Sequence, residues 1–563
     1  MSLLELKHSP DYQDALSKNP HLRDYIERVK VEFENEPIYL SQLSRDLRYL
    51  KNPNIIYPVG DPIFIHIYSV EGEERFIYNP IEPSIPEELN ELKRIVEDGL
   101  ALVIDESYDY ETLEEQRKLL YQAIDKIIKI DESIKDISEY KVEYTRDEIP
   151  IVRINRYGYE AIKYTLDKEK VGLGIIEPLI RDPYIEDISC SGIGPIFVEH
   201  KVFKSCKTTL RFDNEEELDE YIIKLSERIG KPVSYRKPIV DAALPDGSRI
   251  NIVFGTDVSI RGSNFTIRKF SSKPLSIVQI CLWNTMDFLE AAYLWMLLEN
   301  SMSVWVCGET ASGKTTTLKA MSVFINPNAK IVSIEDTPEV VVPHENWTRE
   351  VTRVSEDKTS SVEMYDLLKA ALRQRPNYII VGEIRGVEGA VAFQAMQTGH
   401  PVLATFHAAT VEKLIQRLTG SPINIPKTYI DNLNAVIIQS AVRLPQTGML
   451  ERRVLSINEI VGYDPIENRF NYIELFSWDP TTDTHIFRGE GMSYLLEEKI
   501  ATMKGLSERE KRKIYDELFL RRDILKLMGE MKIVDYDDVW RIIKKINRIG
   551  LEEGYKLLKR GLL

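Results

Sequence analysis

A phosphate-binding loop is the feature that most constrains how this chain folds. The apolar segment SVWVC at 303–307 runs into GETASGKT at 308–315, which fits the pattern GxxxxGK[ST] at every position. The backbone N–H groups of such a loop surround nucleotide phosphates, and the helix that follows points the positive end of its dipole at the same anion. Because the loop needs a strand before it and a helix after it, the pattern predicts an α/β nucleotide-binding core.

The loop residues supply the first candidate ligands. We expect Lys314 to contact the β- and γ-phosphate oxygens and the Thr315 hydroxyl to bind Mg²⁺. The predicted cofactors are therefore ATP and Mg²⁺. The other residues predicted to contact the nucleotide are Gly308, Thr310, Ala311, Ser312, Gly313 and Thr316.

Acidic residues follow two further apolar segments. The segment KIVSI at 330–334 leads into EDTPE at 335–339, and YIIV at 378–381 leads into Gly382 and Glu383. In open parallel sheets, ligands bind at the carboxyl ends of the strands. We therefore expect both groups of carboxylates to lie near the nucleotide, and we predict Glu383 to be a Mg²⁺ ligand or a water-positioning residue.

Histidines flank a fourth apolar segment, PVLATF at 401–406. The chain has only eight histidines, and His400 and His407 lie directly before and after this segment. An imidazole N–H can donate a hydrogen bond to a phosphate oxygen. We predict that His407 senses the γ-phosphate, with His400 as a second candidate.

Charge and cysteine content argue against other classes of protein. The chain carries 89 acidic and 73 basic residues, and its net charge of −16 disfavours binding to nucleic acid. Four widely separated cysteines without a CxxC pair argue against a disulfide framework or a cysteine zinc site. The N-terminus lacks a signal-peptide pattern, and no segment approaches the ~18 apolar residues of a membrane-spanning helix. We expect a cytoplasmic protein.

At 563 residues the chain is too long for one core, so several domains are predicted. Residues 1–170 are predicted to form a helical and α+β region, with a hairpin at 63–81 and a long helix at 111–137. Residues 171–270 alternate helical and β-prone segments and are predicted to form a second α+β domain. The predicted order is completed by a hinge linker at 271–285, an ATPase domain at 286–490 and a helical extension at 491–563.

The order of these motifs resembles the secretion ATPase superfamily, the motors of type II secretion, type IV pili and the archaellum. The similar segments are the P-loop, IEDTPE, LRQRPNYIIVGEIRG and GHPVLATFHA, at 308–315, 334–339, 372–386 and 399–408. Within the archaeal branch the chain resembles the archaellum motor ATPase in particular, through SIRGSNFTIRKF at 259–270 and the lack of a tetracysteine zinc insertion. The resemblance covers about residues 170–490. It implies a RecA-like P-loop ATPase core, preceded by an α+β N-terminal domain and a small helical N-terminal unit and followed by a helical C-terminal tail.

The resemblance also implies roles for individual residues. Glu339 would be the base or the water-orienting residue, Glu383 the Walker B carboxylate and His407 the sensor. Asn377 departs from the family pattern, which often has Asp before the Walker B strand, and we expect little catalytic effect from it. Family members work as hexamers with sites shared between chains. Arginines are also needed, because charge that develops on the transferred phosphoryl group must be neutralised. The candidate arginines are Arg249, Arg261 and Arg268 of the N-terminal domain and Arg373 and Arg375 of the ATPase domain.

The function implied by the resemblance is that of a hexameric ATPase motor. It would drive the assembly or the rotation of an archaellum or a type IV pilus-like filament. Its implied partners are a polytopic membrane platform protein and cytoplasmic accessory ring proteins, at the inner face of the cell membrane. Three alternatives stay open from the sequence: an adhesive-pilus assembly or type II-like secretion ATPase, a RecA-like nucleic-acid motor, and a nucleotide-gated scaffold without useful turnover.

Overall fold

The computed structural model describes residues 7–33, 35–86, 89–104, 112–270, 273–353 and 361–563. The chain divides into two compact units, Met1–Phe270 and Ser271–Leu563. The first residues of the N-terminus, the predicted helix start at Glu111 and the linker residues Ser271 and Ser272 lie outside the described residues.

The first unit is built on a ten-stranded sheet with the order β1-β2-β3-β4-β10-β9-β8-β13-β12-β11. Between β4 and β8 along the chain, β5, β6 and β7 form a separate three-stranded sheet with the order β5-β7-β6. The elements described in this unit are α1 (Tyr12–Lys18), α2 (Pro20–Glu32), β1 (Ile38–Tyr39), β2 (Asn54–Pro58), β3 (Phe64–Tyr68), β4 (Phe76–Ile81), α3 (Asn90–Val103), α4 (Leu113–Ile127), β5 (Ile128–Ile130), β6 (Lys141–Tyr144), β7 (Pro150–Ile154), α5 (Arg156–Lys170), α6 (Glu177–Arg181), β8 (Ile185–Cys190), β9 (Gly194–His200), β10 (Lys204–Phe212), α7 (Glu215–Arg228), β11 (Ile239–Ala243), β12 (Arg249–Val253) and β13 (Asn264–Arg268), with 3₁₀ helices at Arg45–Tyr49, Ile137–Glu139 and Gly174–Ile176.

One sheet joins the two N-terminal sections that the sequence analysis separated. The predicted hairpin forms as the antiparallel pair β3–β4, with Phe64 opposite Ile81. Strand β4 then pairs in parallel with β10, where Ile77 lies opposite Lys207. The predicted boundary at residue 170 therefore lies inside one compact unit, because β4 comes from the first section and β10 from the second.

The long helix predicted at 111–137 is shorter in the structure. Helix α4 starts with a capping box, in which Thr112 and Glu115 each bond the other's backbone N–H. It ends at Ile127, and the chain continues as β5, which pairs in parallel with β7. The sequence IIKI supports either structure, and sheet pairing with a strand about twenty residues later decides for the strand.

The second unit is built on a nine-stranded sheet with the order β16-β15-β17-β18-β14-β19-β20-β21-β22. The strands from β16 to β19 in this order run parallel, and β20 to β22 continue the sheet in antiparallel fashion. The elements described in this unit are α8 (Ile277–Leu282), α9 (Phe288–Glu299), β14 (Val304–Cys307), α10 (Lys314–Met321), β15 (Ile331–Glu335), β16 (Trp347–Val351), α11 (Met364–Arg373), β17 (Tyr378–Ile384), α12 (Glu388–Gln397), β18 (Val402–Phe406), α13 (Val411–Thr419), β19 (Ala435–Arg443), β20 (Leu450–Asp464), β21 (Arg469–Asp479), β22 (Thr484–Phe487), α14 (Ala501–Met503), α15 (Ile514–Glu530), α16 (Tyr536–Ile549) and α17 (Leu551–Lys559), with a π-helix at Leu495–Ile500 and 3₁₀ helices at Ser322–Phe324, Lys427–Asn432 and Lys511–Lys513.

Alternation along β14 places a hydrophobic core on each face of this sheet. Val304 and Val306 belong to a cluster with α8, α9, α10 and the C-terminal helices α15 and α16. Trp305 and Cys307 belong to a second cluster with α11, α12 and α13. A parallel sheet covered on both faces by helices is the RecA-like α/β architecture, so the predicted fold class is confirmed.

The segments on either side of the predicted ATPase domain belong to its core. Ile277 and Val278, inside the predicted hinge linker at 271–285, are fully buried in α8. The predicted helical extension at 491–563 contributes buried residues of α15 and α16 to the same cluster. These helices cover one face of the sheet, because the continuous apolar surface of β14 and β19 needs a partner.

Two properties of the described residues bear on the environment of the chain. No helix among them combines the length and the apolar character that a membrane crossing requires. The four cysteines are all buried and unpaired.

Candidate nucleotide-binding site

The P-loop lies at the carboxyl end of β14, between this strand and α10. Gly313 takes a left-handed backbone conformation (φ +94°) directly before the helix begins at Lys314. A Cβ at Gly308 would lie 2.1 Å from the backbone oxygen of Gln439, so a larger residue does not fit there. Two of the glycines in the pattern are therefore required by backbone conformation and by close packing.

Gln439 on β19 holds the loop in place. Its Nε2 donates to the backbone oxygen of Ser312 at 2.9 Å, and its Oε1 accepts from Thr317 Oγ1 at 2.7 Å. The three side chains are nearly fully buried. No motif pointed to Gln439, although a glutamine inside the apolar strand AVIIQ is a signal of a buried polar contact.

Lys314 lies between the loop and an acidic strand. Its Nζ donates to the Glu309 backbone oxygen at 2.9 Å and lies 3.9 Å from Glu383 Oε1. Burial lowers the pKa of this ammonium, and the neighbouring Glu383 carboxylate opposes that shift. The ammonium is thus inside the loop and only partly neutralised, which suits contact with phosphate oxygens.

Glu383 is the acidic residue nearest to the loop lysine. It lies within β17, one residue before the strand ends, rather than after it. Arg385 donates to Glu383 Oε2 from Nε at 2.8 Å and from Nη2, and this hydrogen bonding raises the pKa of the arginine. No motif pointed to Arg385, which follows directly after the end of β17.

His407 reaches the P-loop and His400 does not. The His407 Nε2 lies 3.4 Å from Thr310 Oγ1, and the backbone oxygen of His407 accepts a hydrogen bond from Arg417. His400 precedes β18 and His407 follows it, so the five residues of the strand separate them by about 17 Å or more. The hypothesis that both histidines sense one phosphate is wrong for a single chain, because they lie at opposite ends of β18.

Arg373 and Arg375 also lie away from the P-loop, at the amino ends of the parallel strands. Arg373 ends α11, and Arg375 lies before β17, whereas Glu383 lies near the carboxyl end of that strand. The seven residues of β17 span about 23 Å. Neither arginine therefore reaches the P-loop of its own chain. Asn377, at the same edge, accepts from the Lys330 backbone N–H at 2.8 Å and has a structural contact.

Glu335 organises the segment that carries Glu339. It ends β15, and its Oε1 accepts from the backbone N–H groups of Glu339 at 3.0 Å and Val340 at 2.7 Å. Burial raises the pKa of the Glu335 carboxyl to about 7, although both hydrogen bonds act in the opposite direction. The Glu339 side chain itself is half-buried. The sequence EDTPE predicted carboxylates at this strand end, but it did not distinguish the positioning residue from the catalytic candidate.

The candidate arginines of the first unit lie side by side. Arg249 and Arg268 are directly opposite each other in the β12–β13 pair, and both side chains are exposed. Arg268 also lies opposite Asp187 on β8. Arg261 is exposed in the loop before β13. The Asp187 carboxylate interacts with Arg268 and so offsets part of the repulsion between the two like charges.

The chain is similar to several known proteins. Residues 169–470 match the family described as type II/IV secretion system protein. The chain is similar to uncharacterized protein MJ0900 of Methanocaldococcus jannaschii, with 48% identity over 98% of this chain and 98% of the relative. It is also similar to protein VirB11 of Agrobacterium fabrum, with 28% identity over 42% of this chain and 76% of the relative. Among solved structures, the ATPase DotB of Legionella pneumophila matches 66% of this chain and 94% of its own, with 18% identity and a TM-score of 0.37.

Proposed function

Because the chain belongs to the type II/IV secretion system protein family, we propose that it is an ATPase motor of a membrane-associated filament or secretion machine. The observation that carries the proposal is the position of Lys314. Its ammonium lies inside the P-loop and 3.9 Å from Glu383, the acidic residue of a neighbouring strand. This is the arrangement that triphosphate binding requires at the carboxyl ends of parallel strands.

The residues around the P-loop fit a Mg²⁺-bound triphosphate. The Thr315 hydroxyl and the Glu383 carboxylate are oxygen ligands, which Mg²⁺ prefers, and the ion would neutralise charge on the phosphates. Among the described residues no group of three or more His, Cys, Asp and Glu side chains could hold a metal ion by itself. Two protein oxygens fit Mg²⁺, which commonly takes its other ligands from water and from the nucleotide.

Four side chains would divide the work of hydrolysis. Lys314 binds the β- and γ-phosphate oxygens, and the loop amides surround them. Glu339 orients the attacking water and accepts its proton, and Glu335 fixes the backbone of that segment through two hydrogen bonds. His407, next to Thr310, donates an N–H to the γ-phosphate and so distinguishes ATP from ADP.

Arginines would complete the site from other chains. Arg373 and Arg375 lie at the amino ends of the strands, away from the P-loop of their own chain, so they would contact the phosphates bound to a neighbouring chain. Arg249 and Arg268 form a second pair of exposed guanidinium groups. Arginine supplied in trans is an effective way to neutralise charge on a transferred phosphoryl group. By resemblance to the hexameric secretion ATPases, the proposed assembly is a ring of six chains, with hydrolysis coupled to movement between them.

We assign the motor to an archaellum or a type IV pilus-like filament, acting through a polytopic membrane platform protein and accessory ring proteins on the cytoplasmic side. The motifs resemble those of the archaellum motor. An adhesive-pilus or type II-like secretion ATPase would share the same site residues. Disruption of the gene separates these functions, because loss of swimming supports the archaellum and loss of surface adhesion supports the pilus.

Phosphate release by the full-length protein tests the enzymatic part of the proposal. Lys314→Ala should abolish ATP binding and turnover, and Glu339→Gln should retain binding and lose turnover. Lys413→Ala is a matched control, because Lys413 is an exposed lysine on α13 of the same unit. Turnover that persists in Lys314→Ala would contradict the proposal.

A further inference from the structure

Arg452 of β20 approaches the P-loop from the antiparallel part of the sheet. Its Nε donates to the Ala311 backbone oxygen at 3.3 Å. A Cβ placed at Gly313 would lie 3.7 Å from the Cδ of Arg452, so the stem of this side chain lies beside the loop. The two terminal nitrogens of its guanidinium make no hydrogen bond or ion pair with any residue that the structure describes. Within that part of the chain, the P-loop is therefore the polar partner of Arg452.

A β-bulge decides which of two consecutive arginines lies beside the loop. The pairing of β19 with β20 shifts by one residue between Ile438 and Gln439, and beyond this bulge Ala441 lies opposite Arg452. Without the extra residue, Arg453 would lie opposite Ala441. Because residues at i and i+2 of a strand point to the same side, Arg452 lies on the side of Gln439, which also holds the loop. Bulges often re-aim side chains next to functional sites in this way.

The neighbouring Arg453 has a different and purely internal contact. It is buried, and its Nε and Nη2 donate to the two carboxylate oxygens of Asp483 at 2.7 and 2.8 Å. A bidentate pair of this kind fixes the position of both side chains. Since no carboxylate among the described residues pairs with Arg452, an ion pair does not account for its position at the P-loop.

Ala311 is the loop residue that most needs support. Its φ of +61° lies in the left-handed region, which is unfavourable for a residue with a Cβ. In a trans peptide the C=O and the following N–H point in opposite directions, so the bond from Arg452 turns the Ser312 N–H away from β20. That N–H and the Lys314 Nζ approach the Glu309 backbone oxygen at 3.4 and 2.9 Å. The Ser312 N–H is thus aimed at the same point inside the loop as the lysine ammonium.

We propose that Arg452 is a positioning residue of the nucleotide site. Its Nε holds the Ala311 carbonyl, which keeps the left-handed turn in place and aims the loop amides at the phosphates. This inference rests on the proposed nucleotide binding and adds a residue to it. Because the loop amides surround the phosphates that ATP and ADP share, Arg452 matters equally for both nucleotides.

Calorimetric titration of the full-length protein with Mg²⁺-ADP and with a non-hydrolysable Mg²⁺-ATP analogue tests the proposal. Arg452→Met removes the N–H donors and retains an apolar stem. The bond is longer than the usual range of about 2.7–3.2 Å, so the Kd for both nucleotides should rise only about three- to fivefold. Arg443→Met is the matched control and should leave both Kd values unchanged. Arg443 is exposed on β19 and donates to the Gly448 backbone oxygen at 2.7 Å, in the turn between the same two strands.

A second substitution separates positioning from direct contact with phosphate. Glycine adopts the left-handed conformation without steric cost, so a loop with Ala311→Gly depends less on Arg452. In that background, Arg452→Met should raise both Kd values less than about twofold, since the two changes act on the same turn. The midpoint of thermal unfolding should stay within a few degrees in every variant, because Arg452 is not buried.

Four outcomes would overturn the assignment. One is equal nucleotide affinity in Arg452→Met and in its control. A loss confined to the ATP analogue would show direct contact with the γ-phosphate instead. A loss of full size in the Ala311→Gly background would show that the turn is not the part that Arg452 supports. Failure of the unsubstituted protein to bind either nucleotide would overturn the proposed function as well, whereas the first three outcomes would leave it intact.

Discussion

Gln439→Leu tests whether a buried side chain on β19 sets the shape of the P-loop. The change removes two hydrogen bonds, to the Ser312 backbone oxygen and from the Thr317 hydroxyl, at nearly constant side-chain volume. Each bond contributes about 0.5–1.5 kcal/mol net, and a buried polar group left unpaired costs about 1–3 kcal/mol. Since Thr317 is only 1% exposed, its hydroxyl finds no water. We expect the free energy of unfolding of the second unit to fall by about 2–4 kcal/mol.

The same variant should weaken nucleotide binding. If about 1.4 kcal/mol of the loss falls on ordering of the loop, the Kd for ATP rises about tenfold. Titration with a fluorescent ATP analogue measures the affinity, and unfolding in guanidinium chloride measures the stability. Gln446→Leu is the control, because Gln446 is exposed and donates a single hydrogen bond to the Thr481 backbone oxygen at 2.9 Å. An affinity within twofold of the original protein, with an unchanged unfolding midpoint, would refute this role of Gln439.

Two further predictions concern Glu335 and Arg385. The Glu335 carboxyl has a pKa of about 7 in the folded chain, above its ordinary value, so the folded state binds the extra proton and stability declines as pH rises from about 4.5 to 7. Glu335→Gln retains an oxygen that accepts from the N–H groups of Glu339 and Val340. In unfolding experiments between pH 5 and 8, this variant should lose up to about 3 kcal/mol of the decline in stability. A decline of unchanged size would show that other groups cause it. Arg385→Gln removes the guanidinium that occupies Glu383, and the Mg²⁺ concentration for half-maximal ATPase activity should fall about two- to fivefold, as expected for a largely exposed ion pair. An unchanged or higher Mg²⁺ requirement would show that the pair does not compete with the metal.

The parts of the site that could be predicted are those with local signals. The strand, the glycine-framed loop and the helix of the P-loop are consecutive in sequence, so Lys314 and its surroundings followed from the pattern. Gln439 lies 127 residues after the loop residue that it holds. Only the pairing of β14 with β19 brings it there, and that pairing is a long-range choice among several apolar strands. His400 shows the opposite error, because nearness in sequence to His407 suggested nearness in space and an intervening strand prevents it.

In the fold, too, local patterns could be predicted and long-range strand pairing could not. The parallel sheet of the second unit could be predicted, since strands buried on both faces are continuous apolar runs separated by helices. The ten-stranded sheet of the first unit could not, because β4 and β10 pair across 130 residues and no motif marks either strand. Helices α15 and α16 were predicted as an extension, since an amphipathic pattern identifies a buried face but not the surface that covers it.

The geometry of the second unit limits how one chain can stabilise a transferred phosphoryl group. At the carboxyl edge of the sheet, Lys314 is already close to Glu383, and Arg385 is bound to that same carboxylate. Arg373 and Arg375 precede β17 and lie about 23 Å away at the amino end of that strand, a distance that no side-chain rotation covers. Within the chain, Arg452 of β20 is a nearer source of positive charge, because its Nε donates to the Ala311 backbone oxygen of the P-loop at 3.3 Å. In the proposed motor, an arginine supplied by a neighbouring chain would add to this charge, and hydrolysis would then depend on the relative position of the chains.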